Sequence, residues 1–128
     1  MSIDIDAICN HKPNLETAQR LALWTLKGSP ALGYVGMLFA FEPNDEQHEW
    51  DGKFPVLVTS PAREPEAYVA TFVYASSIAV LYDGFLRQDV DFFPDLLATD
   101  VIETCVRHSG QTPEELWALL LEQSDIRS

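Results

Sequence analysis

The sequence predicts an α+β protein in which a small antiparallel sheet of two or three strands packs against about four helices. Three observations lead to this prediction. The chain has 128 residues, 47% of them hydrophobic, which is enough for one buried core and for a single domain spanning residues 1–128. Strand-like segments, including one in which apolar and acidic residues alternate, lie beside hairpin signals. Capped helical segments follow one another with no linker between them.

The first quarter of the chain predicts a strand and then a helix. Residues 2–8 alternate isoleucine with aspartate, which is typical of a short edge strand. Asn14 is suited to cap a helix that runs to Lys27, and Gly28 is suited to end it.

A hairpin is predicted next. Residues 33–42 are apolar on both faces, which predicts a central strand. The pair Asp51-Gly52 is a hairpin signal, so residues 54–59 are expected to form the antiparallel partner.

The second half of the chain predicts three helices. Residues 67–82 are apolar on every side of a helical wheel, which favours a buried central helix, although a strand over residues 68–74 is the alternative. A second helix is expected over residues 94–108. The third has a clear start, because Thr112 supplies a cap and Pro113 the first helical position. Its apolar residues form one wide face: Leu116, Trp117, Leu119, Leu120 and Leu121.

The charge of the chain restricts the class of partner. Twenty acidic residues oppose eight basic ones, for a net charge of −12. Such a charge repels nucleic acids and anionic membranes and favours encounter with basic proteins. The beginning of the chain is acidic rather than basic, and the longest uncharged run is too short to span a membrane, so the expected location is the cytoplasm.

Common catalytic and cofactor motifs are missing from the sequence. The glycines form no phosphate-binding loop or dinucleotide fingerprint, and no hydrolase elbow occurs, so no cofactor is expected. The nearest approach to a metal pattern joins Cys9 and His11 to Cys105 and His108 as four potential zinc ligands. The alternative is that Cys105 is a small core hydrophobe, because it lies among apolar residues of its helix.

Acidic residues concentrate in two segments. One holds Asp45, Glu46, Glu49 and Asp51, and the other holds Asp89 and Asp91. We interpret both as contact surfaces for a basic protein, as in an inhibitor, an immunity protein or a nucleic-acid mimic. The alternative for the first segment is a metal-dependent or acid–base site that uses His48 and Glu49.

Trp24 is the aromatic residue that the helical wheel sets apart. It falls on the charged side of its helix, where it is either covered by another part of the chain or exposed as an interface anchor. A third hypothesis follows, in which the protein is a scaffold or escort whose homodimer interface buries Trp24 and the last helix.

Overall fold

The structure, a computed structural model, describes residues 3–42, 52–88 and 95–127. This part of the chain forms four strands and five helices, which confirms the α+β class with one strand more than the sequence predicted. The strands are β1 (Ile3–Cys9), β2 (Phe39–Phe41), β3 (Phe54–Ser60) and β4 (Phe85–Gln88). The helices are α1 (Leu15–Thr25), α2 (Leu32–Val35), α3 (Pro65–Leu81), α4 (Ala98–Arg107) and α5 (Pro113–Arg127).

The sheet has the strand order β2-β3-β1-β4, and all neighbouring strands are antiparallel. With α1 after β1 and α3 after β3, this is the split βαβ arrangement, to which α2, α4 and α5 are added. The first strand is therefore central, and its prediction as an edge strand was wrong. The reason is that β4, which the sequence patterns did not reveal, pairs with its outer side.

Helix α3 forms the centre of the molecule. It confirms the predicted buried helix, and the strand alternative for residues 68–74 is wrong. One side of α3 packs on β1, β3 and β4, and the rest of its surface contacts the other four helices. Two of its buried hydroxyl groups are satisfied, because Thr71 and Ser77 donate to the carbonyl oxygens of Ala67 and Val73, one turn earlier. The buried Ser76 hydroxyl has no hydrogen-bond partner within the described ranges. None of the described helices is long and apolar enough to cross a membrane.

The segment predicted as a central strand over residues 33–42 is divided in the structure. Its first part forms the short helix α2, and only Phe39–Phe41 joins the sheet, as the edge strand β2. Val35 and Leu38 are buried in the core, whereas Phe39 and Phe41 are exposed. The apolar residues that predicted a strand covered on both faces therefore lie in two different environments, the core and the exposed edge of the sheet. The predicted hairpin pairing with β3 is confirmed.

Local capping signals gave the best helix boundaries. The Asn14 side chain accepts a hydrogen bond from the Thr17 backbone N–H at 3.2 Å, and the Thr112 hydroxyl accepts one from Glu115 at 3.2 Å. Gly28 has a φ of 85° in the turn after α1, a conformation that favours glycine. By contrast, α4 begins at Ala98, four residues after the start that the sequence predicted.

Candidate binding surface

The central helix α3 packs on one face of the sheet, and none of the described helices packs on the other face. On the packed face, Ile5 and Ala7 of β1 lie beside Val58 and Val56 of β3, and all four are in the core. Because side chains alternate along a strand, the residues between them point to the opposite side. We call this side the open face. It carries Asp4, Asp6, Ile8, Phe39, Phe41, Pro55, Leu57, Thr59, Phe85 and Arg87. Of these, Ile8 is buried and the phenylalanines are exposed.

Three phenylalanines of the open face are exposed. The exposed fractions are 63% for Phe39, 45% for Phe41 and 49% for Phe85. Large exposed aromatic groups on one sheet face are a feature of surfaces that bind partners. Sequence reasoning missed this surface, although the alternation of Phe39, Ala40 and Phe41 would have placed both rings on the same side of a strand.

The strand register arranges the open face in rows that run across the sheet. One row contains Phe39, Thr59 and Asp4, since Thr59 is the direct neighbour of both. The Thr59 hydroxyl donates to Asp4 Oδ1 at 2.5 Å. The surface therefore combines exposed aromatic rings with a carboxylate held in a fixed position.

The next row begins with Phe41 and Leu57 and continues with Asp6 and Arg87. It repeats the combination of an aromatic ring and a carboxylate, with a basic residue added at the β4 edge. Across both rows the open face carries two acidic residues and one basic residue.

Trp24 is the one predicted site residue that falls in the described part of the chain. It is 60% exposed, so the chain does not cover it, and its role as an interface anchor stays a prediction. Its helix, α1, packs against α2, α3 and α4. Trp24 therefore belongs to the helical side of the molecule and not to the open face.

The acidic residues predicted as contacts lie outside the described residues: Asp45, Glu46, Glu49, Asp51, Asp89 and Asp91, together with His48 of the alternative enzyme site. The strand ends that border these two segments lie towards opposite ends of β1. Strand β3 begins at Phe54, opposite Cys9, whereas β4 ends at Gln88, opposite Ile5.

The last helix uses its apolar face inside the chain. Leu116 and Leu120 are fully buried, and the Trp117 ring lies 5.1 Å from Tyr68 and 5.6 Å from Phe72, measured between ring centroids. These contacts join α5 to α3. Leu116 and Leu120 are therefore used inside the chain, and the homodimer through Trp24 and the last helix stays a prediction.

The two cysteines are core residues with protonated thiols. Burial, with a smaller contribution from the carboxylate of Glu42, raises the pKa of Cys9 from 9.0 to about 11. Burial alone raises the pKa of Cys105 to about 12. A thiolate is the form that binds metal or attacks a substrate, so both environments oppose these roles. Among the described residues no group of three or more histidine, cysteine or acidic side chains is placed to hold a metal ion.

These raised pKa values predict a loss of stability in alkali. Above pH 9 the unfolded chain releases its thiol protons while the folded chain retains them, so the free energy of unfolding falls as the pH rises towards 12. Each thiol contributes a slope of at most about 1.4 kcal/mol per pH unit. Urea unfolding between pH 8 and 11 should show a shallower fall in the double variant Cys9→Ala/Cys105→Ala than in the wild type. Equal slopes would contradict the buried thiols.

No family model, curated protein or solved structure matches the chain. The case for function therefore depends on the surface of the molecule itself.

Proposed function

We propose that this protein is a binding protein that docks a basic protein partner through the open face of its sheet. The observation that carries the proposal is the exposure of Phe39, Phe41 and Phe85 on the sheet face opposite the helices. Aromatic side chains are enriched at protein interfaces, because they remove a large apolar area from water when a partner covers them.

Charge decides which class of partner this surface favours. Asp4 and Asp6 lie on the open face, and the whole chain carries a net charge of −12. A basic partner complements this charge and is attracted to it before contact. A second copy of the chain would bring the same negative charge to the interface, so self-association through this face is disfavoured.

A random twelve-residue peptide library displayed on phage provides a defined probe. We expect selection on the wild-type protein to enrich basic peptides that contain apolar residues. Binding of the synthetic peptides should weaken as salt is added, because part of the attraction is electrostatic. The double variant Phe39→Ser/Phe41→Ser should weaken this binding by tenfold or more, as expected when two interface anchors are removed.

Trp24→Ser is the matched control, because it removes an equally exposed aromatic group from the helical side. It should leave peptide binding unchanged. Three results would overturn the proposal: enrichment of acidic peptides or of none, equal effects of the control and the double variant, or a wild-type dimer that the double variant converts to a monomer. The last result would identify a second copy of the chain as the occupant of the open face.

A further inference from the structure

We infer that the basic partner is recognised through an arginine, whose guanidinium group stacks on the Phe39 ring and hydrogen-bonds to the carboxylate of Asp4. This inference rests on the proposed function and specifies its chemistry. The row that contains Phe39, Thr59 and Asp4 carries it.

The spacing within this row suits a guanidinium group. Phe39 and Asp4 are separated by two strand spacings, which places their Cα atoms about 10 Å apart. A cation interacts with an aromatic ring when it lies within about 6 Å of the ring centre, and a charged hydrogen bond spans about 2.8 Å. An arginine lying over Thr59 therefore reaches both groups at once. Thr59 has a small side chain, so it adds little bulk between the two groups.

The hydrogen bonding and the burial of the Asp4 carboxylate also favour an arginine ligand. Its Oδ1 atom accepts the hydrogen bond from Thr59, which fixes the orientation of the group. Within the ranges that the structure describes, Oδ2 has no hydrogen-bond partner and is available to accept one. The side chain is half-buried, so less water competes for this oxygen than at a fully exposed carboxylate.

Arginine fits this site better than lysine. Its guanidinium is planar, so it stacks flat on an aromatic ring while its edge donates to a carboxylate. The ammonium group of lysine is compact and strongly hydrated, and it loses more hydration when it approaches a ring. The combination of Phe39 and Asp4 therefore predicts discrimination between two side chains of equal charge.

Three blocked pentapeptides test this discrimination by NMR titration: acetyl-Ser-Arg-Val-Arg-Ser-amide and the same peptide with lysine or with citrulline at both basic positions. Citrulline keeps the shape of arginine without its charge. We expect the arginine peptide to shift the Phe39 ring and Thr59 amide resonances with an affinity about fivefold or more above that of the lysine peptide. The citrulline peptide should bind more weakly than either.

Single substitutions test whether Phe39 and Asp4 cause the preference for arginine over lysine. Phe39→Leu keeps an apolar side chain without the aromatic ring, and it should reduce the affinity for the arginine peptide to that for the lysine peptide. Phe85→Leu makes the same change at another phenylalanine of the open face, beside Ile8 and away from Asp4. It should leave the ratio of the arginine and lysine affinities unchanged, even if both affinities fall. Asp4→Asn should weaken binding of the arginine peptide, whereas Glu16→Gln, at an exposed carboxylate paired with Arg20 on α1, should have little effect.

The outcomes separate this inference from the proposed function. Equal affinity for the arginine and lysine peptides, with both lost in Phe39→Ser/Phe41→Ser, would overturn the arginine inference and leave the docking face intact. Absence of any basic-peptide binding at the open face would overturn both.

Discussion

Replacing Gly84 with alanine should destabilise the protein by about 3 kcal/mol or more, because the added methyl group has no room. A Cβ atom at this position would lie 2.2 Å from the carbonyl oxygen of Ile8 and 3.0 Å from the Cα atom of Cys9. Both are backbone atoms of the central strand, so neither can turn aside as a flexible side chain would. Urea unfolding of the variant at neutral pH measures the loss.

Hydrogen bonds around Gly84 prevent the turn from moving away. The Asn10 backbone N–H donates to the carbonyl oxygen of Tyr82 at 3.0 Å, and the Asn10 side chain donates to that of Asp83 at 2.6 Å. Asp83 itself has a φ of 52°, in the left-handed region. These bonds join the end of β1 to the turn just before the glycine, and the pairing of Phe85 with Ile8 joins them just after it.

Gly36→Ala is the control for this experiment. No atom lies within 4 Å of a Cβ at Gly36, and its φ of −69° suits alanine. This substitution should be neutral or should stabilise the protein by up to about 1 kcal/mol, because alanine restricts the unfolded chain. Similar losses in the two variants would show that the turn does not approach β1 as closely as the structure places it.

Leu120→Ala should lower the free energy of unfolding by about 2–5 kcal/mol, the range for a leucine truncated inside a core. Leu120 is completely buried, and α5 packs against both α3 and α4. The truncation removes apolar contacts and leaves a cavity that the surrounding helices fill only in part. Chemical denaturation at several protein concentrations provides the measurement and also reports any coupling to self-association.

Leu121→Ala is the matched control, since it makes the same change at the next residue of the same helix. Leu121 is 39% exposed, so its truncation should cost well under half as much as the truncation of Leu120. A larger loss at Leu121 would mean that the buried side of α5 is wrongly assigned. A loss at Leu120 that grows as the protein is concentrated would support the homodimer through the last helix.

Sequence patterns predicted the elements whose causes are local. The caps at Asn14 and Thr112 depend on contacts with residues three positions away, and both helices begin where these signals place them. The uninterrupted apolar run identified α3 as the buried helix, because a helix without a polar side must be covered all around. These predictions needed no information about distant parts of the chain.

Predictions that depended on a partner strand were less accurate. Residues 2–8 have the alternation of a strand with one covered face, and this pattern is the same for a central and an edge position. Its central position follows from pairing with β4, about eighty residues later in the sequence. The segment before β3 appeared apolar enough to be central, yet only three of its residues pair at the edge.

The candidate site shows the same division. The sequence by itself determined the fold class, the starts of α1 and α5, the central helix and the net charge, because composition and short-range spacing are sufficient for these properties. Only the tertiary structure decided that Trp24 is exposed, that Leu116 and Leu120 are buried, and that Phe39 shares a row with Asp4. Each of these outcomes depends on which distant segment packs beside the residue. Hydrophobicity alone favours burial of each apolar side chain, but the core cannot hold all of them, so some remain at the surface.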